Sequence, residues 1–193
     1  MLLVVRHGRT PANAAGELLG RRNPSLDAQG QAQAAAIAAV MPAGARVISS
    51  PLDRCSETAA FLSEEVEIDE RLIELDYGDL EGTPVREVPA STWAAWRDRT
   101  DWRPPGGESH DELAARVWSL LDDLAPAATD ADIVLVSHVS PIKASVAWAM
   151  GVSIDISWRC LVSQASILRI TTGGAAPSLR SFNETGHLAH LDG

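Results

Sequence analysis

Two short apolar runs, each followed at once by a histidine, predict the central strands of the fold. Residues 2–5 read Leu-Leu-Val-Val and lead into Arg6 and His7, and residues 132–137 read Asp-Ile-Val-Leu-Val-Ser and lead into His138. Near-continuous apolar runs of this length are typical of strands that are covered on both faces of a parallel sheet. Weaker patterns predict further strands at 46–49 and 66–68, and a terminal hairpin formed by 166–170 and 179–182.

Capping residues and apolar stripes between these runs predict helices. The predicted helices are an Ala-rich one over about 28–41 after an Asp27 cap, one that opens at Ser50-Pro51, one from the Ser109 cap to about Leu124, and one over about 141–150 that Gly151 ends. Strands that alternate with helices along a chain favour the α/β class. We therefore expect a three-layer α/β/α sandwich with a mostly parallel central sheet.

The chain is expected to form a single domain over residues 1–193, because its length suits one sizeable core and no internal repeat is visible. Residues 83–107 have the least regular pattern and contain three of the six tryptophans, so we expect a lid-like excursion there. The polar residues 184–193 are expected to form a loosely held tail.

Composition narrows the class of ligand. A net charge of −10 disfavours nucleic acid, and no apolar run approaches the about 18 residues of a membrane-spanning helix. Residues 1–54 nevertheless carry six arginines against three acidic residues, so a small anion can be attracted locally. Cys55 and Cys160 lack metal-type spacing and no export signal is visible, which favours reduced thiols in the cytoplasm. The oligomeric state stays open, with a homodimer as one alternative.

Two strands that end on histidines predict a site at one edge of the sheet. Ligands of open α/β sheets bind beyond the carboxyl ends of the strands. If the two strands are neighbours, His7 and His138 face each other there. Arg6 and Arg54 can then supply forked donors for phosphate oxygens, and Asn13 a neutral one. The helix after His138 would point its positive end at the same place.

Five motifs follow one another from residue 2 to about residue 142. They are Arg6-His7-Gly8 with Thr10 and Asn13, Ser50-Pro51 with Arg54, Glu57 and Thr58, Glu74 with Gly78, Glu81 and Gly82, the glycine turn at 105–109, and Val136-Ser137-His138. In this order they resemble the signature of the histidine phosphatase superfamily, the phosphoglycerate-mutase-like proteins. With residues 140–143 included, the pattern is most similar to the α-ribazole and broad acid phosphatase branch.

The resemblance implies a metal-independent phosphomonoester hydrolase that uses no cofactor and acts on a small phosphorylated metabolite. It implies that His7 is the nucleophile and becomes a phosphohistidine. It further implies that Glu74 protonates the leaving oxygen and then assists an attacking water. Phosphate binding is assigned by the same resemblance to Arg6, Asn13, Arg54, His138 and the backbone amide of Val139.

Elementary electrostatics agrees with these roles. An attacking histidine must be neutral, and positive charge on Arg6, Arg54 and a protonated His138 would lower the pKa of His7. The same cations stabilise the charge on the phosphoryl oxygens in the transition state. A free glutamic acid is ionised at neutral pH, so the role implied for Glu74 requires desolvation or a nearby anion such as bound phosphate.

Departures from the family pattern bear on the substrate. Val139 stands where the family usually has glycine, and its branched side chain is expected to narrow the pocket. Arg9 stands where glutamate or glutamine is frequent, and it either adds positive charge at the rim or faces solvent. The candidate substrate contacts are Arg9, Gly20, Arg21 and Tyr77, followed by Arg22, Trp93, Trp96 and Trp102, with solvent or core placement as the alternative for each.

Alternatives stay open within the site. Asp76 lies two residues after Glu74 and could be the acid instead. A zinc ion held by His7, His138 and Glu74 is conceivable, but neighbouring arginines would repel a cation. The remaining histidines, which lie outside the motifs, are expected at the surface; they are His110, His187 and His190.

Two other functions also stay open. A phosphoglycerate mutase would move the phosphoryl group between hydroxyls of its substrate, and mutases that resemble this family carry a longer excursion that excludes water. Here only residues 83–104 are available and few of them are basic, which favours hydrolysis. A non-catalytic sensor of phosphorylated ligands on the same fold is the third hypothesis.

Overall fold

A six-stranded sheet forms the middle layer of the computed structural model, which describes residues 1–191. The strands are β1 Leu2–Arg6, β2 Arg46–Ser49, β3 Val66–Ile68, β4 Ile133–Ser137, β5 Ile167–Thr171 and β6 Ser178–Glu184. They follow the order β3-β2-β4-β1-β5-β6, with parallel pairs from β3 to β1 and antiparallel pairs to β5 and β6. The predicted class and the terminal hairpin are confirmed.

Helices cover both faces of this sheet. They are α1 Pro11–Ala15, α2 Ala28–Ala38, α3 Asp53–Ala60, α4 Ala90–Asp98, α5 His110–Leu124, α6 Ala127–Asp130 and α7 Val139–Met150. Leu2 and Val4 pack in one core cluster with α5 and α7, whereas Leu3 and Val5 pack in another with α2 and α3. Both faces of β1 are buried over residues 2–5, which explains why these four residues are all apolar. No helix in the described part of the chain is long and apolar enough to cross a bilayer.

The predicted caps are present at the helix ends. Asp27 accepts a hydrogen bond from the Gly30 amide at the start of α2. Ser109 and Glu112 form a reciprocal capping box at the start of α5. Gly151 ends α7 in the left-handed conformation, at φ 63°, which a glycine adopts without steric cost. These local signals explain why the helix positions follow from the sequence.

Three helix boundaries differ from the prediction. Helix α2 ends at Ala38 rather than Met41, because the Met41 amide bonds to the Ala38 carbonyl in a tight three-residue turn. Helix α3 begins at Asp53, three residues after the serine that was expected to open it. Helix α7 begins at Val139 rather than Pro141, directly where β4 ends. Position 139 therefore lies in the first turn of a helix, next to the end of the strand.

The excursion at 83–107 contains helix α4 and packs onto the core. Trp96 on α4 is 1% exposed and belongs to the core cluster of α5 and α7. The ring of Trp102 meets it edge to face, with centroids 5.4 Å apart. The Leu18 amide donates to the Thr83 carbonyl, which ties the excursion to the loop after α1. These contacts hold the excursion against the body of the protein.

Residues 184–191, predicted as a loosely held tail, make several contacts with the core. A short 3₁₀ helix, Gly186–Leu188, lies against α2, and Leu188 is buried in the core cluster of α2 and α3. The His187 ring nitrogen Nε2 lies 3.0 Å from the Ala165 carbonyl oxygen. Residues 192–193 lie outside the described part of the chain. The mostly polar composition of this segment concealed the two leucines, Leu188 and Leu191, that pack against the core.

Candidate active site

The two histidines meet at the carboxyl edge of the sheet. Strands β1 and β4 pair with Arg6 opposite Ser137, so His7 and His138 follow at equivalent positions. Their ring centroids are 5.1 Å apart and the ring planes are inclined at 62°. His7 is 3% exposed and His138 is fully buried. Sequence and structure therefore agree on the central pair of this site.

A backbone carbonyl sets the tautomer of His7. Its Nδ1 lies 2.6 Å from the carbonyl oxygen of Gly8, which can only accept, so Nδ1 carries the proton and Nε2 keeps its lone pair. Burial lowers the pKa of His7 well below its usual value, and the positive charges of Arg54 and Arg6 lower it further. At neutral pH the ring is therefore neutral and has a free nucleophilic nitrogen.

His138 is also neutral, with the opposite tautomer. Arg54 Nε donates to its Nδ1 at 3.2 Å, so the proton lies on Nε2, which is 2.8 Å from the Ser50 hydroxyl oxygen. Burial lowers the pKa of His138 well below its usual value. The positive charge of Arg54 and the nearby His7 lower this pKa further. The geometry and the lowered pKa favour a neutral His138 over the protonated one considered from the sequence, and Arg6 and Arg54 supply the cationic charge.

Arg54 is wholly buried and is oriented by the loop after α1. Its Nη1 and Nη2 donate to the carbonyls of Arg22 and Gly20, each at 2.8 Å. With Nε on His138, three of its five N–H groups are used and two remain for a ligand. Gly20, predicted as a substrate contact, thus acts through its carbonyl on Arg54. A Cβ at Gly20 would lie 2.5 Å from the Leu75 carbonyl oxygen, so the close approach requires glycine.

Arg6 approaches the same region from β1. Its Nη1 donates to the Val162 carbonyl at 2.8 Å. Its Nε is buried and has no hydrogen-bond partner among the described residues. Burial lowers the pKa of Arg6, but a guanidinium of this kind stays charged at any working pH. Arg6 therefore presents an unpaired donor and a full positive charge beside His7.

The structure distinguishes between the two candidate acids. Glu74 is 3% exposed, and its Oε1 accepts hydrogen bonds from the Leu75 amide at 2.7 Å and the Ser140 amide at 3.2 Å. Its carboxylate thus lies against the first turn of α7, immediately after His138. Asp76 turns away, accepts the Gly78 amide at 2.8 Å and lies 3.8 Å from Arg21. Only Glu74 is placed at the edge where the histidines meet.

Asn13 and Arg9 are engaged locally. Asn13 Oδ1 accepts hydrogen bonds from the amide and hydroxyl of Thr10 and so completes the cap of α1, which leaves its Nδ2 for a ligand. Arg9 Nε donates to Asp27 at 2.7 Å, on the cap of α2. This pair does not bring Arg9 into the site. Arg21 lies among acidic side chains, 3.5 Å from Glu108, so its guanidinium supports the loop around Asp76.

A cavity of about 140 Å³ opens beside the first turn of α7. We call it the side pocket and define it by six of its lining residues, Tyr77, Trp93, Trp96, His110, Lys143 and Trp158. Tyr77 and Trp96 thus contribute both to the core and to the pocket, whereas Trp102 packs against the ring of Trp96. Val139 also lines the pocket, and the narrowing expected from its branched side chain stays a prediction. Burial and the nearby Glu74 raise the pKa of Tyr77, so its hydroxyl stays protonated.

Sequence reasoning missed several residues of this region. His110, expected at the surface, is 8% exposed and lies in the pocket, because it occupies the first turn of α5 facing the core. Lys143 follows Val139 by one helical turn, and that spacing was the available signal. The hydroxyl of Thr58 accepts the Gly8 amide at 3.1 Å and so holds the loop after His7. Thr58 belongs to the second sequence motif, but its hydrogen bond to the distant Gly8 could not be predicted from the local pattern.

The sequence of the chain matches a known protein family. The sequence model of the histidine phosphatase superfamily (branch 1) matches residues 2–185. The chain belongs to this superfamily. The family resemblance and the arrangement of the two histidines therefore agree.

Individual histidine phosphatase relatives are similar over most of the chain. A glucosyl-3-phosphoglycerate phosphatase of Mycolicibacterium vanbaalenii is 35% identical over 176 residues, covering 83% of this chain and 78% of that protein. The structure of an Entamoeba histolytica phosphoserine phosphatase in complex with 3-phosphoglyceric acid superposes with a TM-score of 0.89 at 27% identity, covering 97% and 98% of the two chains. A bifunctional protein of Mycobacterium tuberculosis is 34% identical over 97% of this chain, which spans 54% of its length.

Proposed function

We propose that this protein is a metal-independent phosphomonoester hydrolase that acts on a small phosphorylated metabolite through a phosphohistidine. The observation that carries the proposal is the tautomer of His7. Its Nδ1 is held by the Gly8 carbonyl at 2.6 Å, which leaves Nε2 free, and its ring centroid lies 5.1 Å from that of His138. Burial and the charges of Arg54 and Arg6 lower the pKa of His7. Neutral imidazole next to fixed positive charge is what attack on a phosphate ester requires.

In the first step, His7 Nε2 attacks phosphorus and the bond from phosphorus to the leaving oxygen breaks. The free N–H groups of Arg6 and Arg54 receive the phosphoryl oxygens, and His138 Nε2–H turns to them from Ser50. The Val139 amide, in the first turn of α7, and Asn13 Nδ2 are the further donors that we assign.

In the second step, water replaces the histidine at phosphorus. Glu74, which gave its proton to the leaving oxygen, takes one from the attacking water as the bond to His7 breaks. Its position against the Ser140 amide places one carboxylate beside the region that both the leaving group and the water must occupy. The enzyme returns to its starting state and inorganic phosphate is released.

Surface pairing in the excursion supports hydrolysis over mutase activity. Arg86 pairs with the neighbouring Glu87 and Arg99 with Asp101, and all four side chains are more than half exposed. These arginines face solvent rather than the histidines. They are therefore not arranged to hold a phosphorylated intermediate away from water.

The relatives support the substrate class. The Mycolicibacterium protein and the Entamoeba protein are named as phosphatases of glucosyl-3-phosphoglycerate and phosphoserine. Free thiols at Cys55 and Cys160 support the expected cytoplasmic location. The single domain and the homodimer stay predictions.

The test is release of inorganic phosphate from a panel of phosphomonoesters, with a chelator present. We expect turnover by the wild type and a loss of roughly 10³-fold or more in His7→Ala. Brief incubation with radiolabelled substrate should trap an acid-labile label that His7→Ala lacks. Full turnover by His7→Ala would falsify the proposal, and formation of isomeric phosphoglycerate stimulated by bisphosphate would identify a mutase instead.

A further inference from the structure

The side pocket adjoins the candidate active site at the start of α7, because Ser140, whose amide donates to Glu74 at 3.2 Å, is one of its lining residues. Val139 and Ser140 follow His138 directly and line the pocket, as does Leu75, which follows Glu74. A group that departs from phosphorus at the histidines therefore has this cavity beside it. The pocket is the natural place for the leaving group of the substrate.

The pocket contains an unpaired cation. Lys143 is the only lysine in the chain, lines the cavity, and makes no hydrogen bond or ion pair with any of the described residues. Burial lowers the pKa of Lys143, which is the sign of an ammonium group partly removed from water. The titratable groups that face it are Glu74, Arg6, His110 and Cys160. An anionic partner would stabilise such a partly buried ammonium group, because it compensates for the lost hydration.

Three ring nitrogens of the pocket residues also lack partners. Trp96 Nε1, Trp158 Nε1 and His110 Nδ1 are buried and have no hydrogen-bond partner among residues 1–191. Buried polar atoms are paired in the great majority of cases, so each such atom requires an explanation. An indole N–H can only donate. The pocket therefore combines apolar ring faces with unused donors.

We propose that the side pocket binds a carboxylate on the leaving group of the substrate, with the Lys143 ammonium as its counter-ion. This inference rests on the proposed hydrolase activity. A carboxylate satisfies both the cation and the indole donors, whereas a cationic leaving group would be repelled by Lys143. The volume of about 140 Å³ is well below the roughly 300 Å³ at which pockets for drug-sized ligands begin. The leaving group is therefore a short hydroxy acid rather than a nucleoside.

The test compares two phosphomonoesters that differ in one group. 3-Phosphoglycerate and glycerol 3-phosphate have the same three-carbon chain, and only the first carries a carboxylate. We expect wild-type kcat/KM to be higher for 3-phosphoglycerate. Lys143→Met should reduce that preference by roughly 10- to 100-fold, the usual effect of losing one charged hydrogen bond. Lys143→Arg should retain part of the preference.

Arg180→Met is the matched control, because Arg180 is exposed on β6 and the same single charge is removed. It should leave the preference unchanged. Equal preference in the wild type, or an unchanged ratio in Lys143→Met, overturns the carboxylate assignment while phosphate release continues. A second readout is calorimetric binding of 3-phosphoglycerate to His7→Ala with and without Lys143→Met. Lys143-dependent binding without any turnover by the wild type would support the pocket and overturn the hydrolase.

Discussion

The carboxylate of Glu81 accepts the amide of Gly20 at 2.9 Å, and the carbonyl of Gly20 accepts Nη2 of Arg54 at 2.8 Å. Glu81 also accepts the amide of Arg21 at 2.9 Å. A cluster of successive amides of this kind is a fixed anion-binding turn. Glu81 thus holds the turn that orients Arg54, and Arg54 in turn sets the tautomer of His138.

The first prediction concerns Glu81→Ala. Loss of the carboxylate releases two or more backbone amides and lets the Gly20 carbonyl move away from Arg54. We expect kcat/KM for phosphate release to fall by roughly 10-fold or more, because each charged hydrogen bond contributes about 1.5–3 kcal/mol. Glu87→Ala is the control, since its ion pair with Arg86 is exposed and contributes little. Wild-type turnover in Glu81→Ala would show that Arg54 does not depend on this turn.

The second prediction concerns the protonation of His7. Burial lowers the pKa of His7 most, followed by the charges of Arg54 and Arg6, so Arg6→Gln removes one of these causes and should raise that pKa part of the way towards 6.5. The acid limb of kcat/KM should then move to higher pH, because the nucleophile becomes protonated sooner as pH falls. The direct measurement is the titration of the His7 ring by NMR. Arg9→Gln, whose arginine is paired with Asp27, should leave the titration unchanged; an equal shift in both variants would contradict the assignment.

The third prediction separates Glu74 from Asp76. Glu74→Gln should lose roughly 10²- to 10⁴-fold on an alkyl phosphate, which is the usual contribution of a general acid. The loss should be much smaller on p-nitrophenyl phosphate, whose leaving group departs without a proton. Asp76→Asn changes the same chemical group two residues away and should leave the ratio between the two substrates unaltered. Equal losses on both substrates in Glu74→Gln would remove Glu74 as the acid.

The fourth prediction is that His110 makes the fold sensitive to acid. Burial lowers the pKa of His110 to about 4, helped by the charge of Lys143. Between pH 6.5 and 4 the unfolded chain binds a proton that the folded protein does not, so stability falls as pH falls. At pH 4 the destabilisation is roughly 3 kcal/mol relative to neutral pH.

Urea unfolding at pH 7 and pH 4 measures this effect. His110→Gln should show a smaller decrease in the free energy of unfolding between the two pH values than the wild type does. His190→Gln removes an exposed histidine and should keep the wild-type decrease. A decrease of the same size in His110→Gln would mean that the acid sensitivity arises elsewhere.

Much of the site follows from local sequence because its residues end regular elements. The apolar runs before His7 and His138 predict strands, and parallel pairing of neighbouring strands then brings the two residues together. Which of two nearby carboxylates enters the site could not be predicted, because Glu74 and Asp76 lie in one irregular loop. Their directions depend on the start of α7 and on Arg21, which are distant in sequence.

By itself, the sequence determined the strands, the caps and the order of the phosphate-binding motifs, since each depends on the period of side chains or on contacts within a few residues. Only the tertiary structure decided the tautomers of the two histidines and the burial of His110. The tertiary structure also places Lys143 in one pocket with Trp93, Trp96 and Trp158, which come from two other segments of the chain. These properties depend on hydrogen-bond acceptors, charges and pocket-lining side chains from distant parts of the chain. No local sequence pattern encodes them.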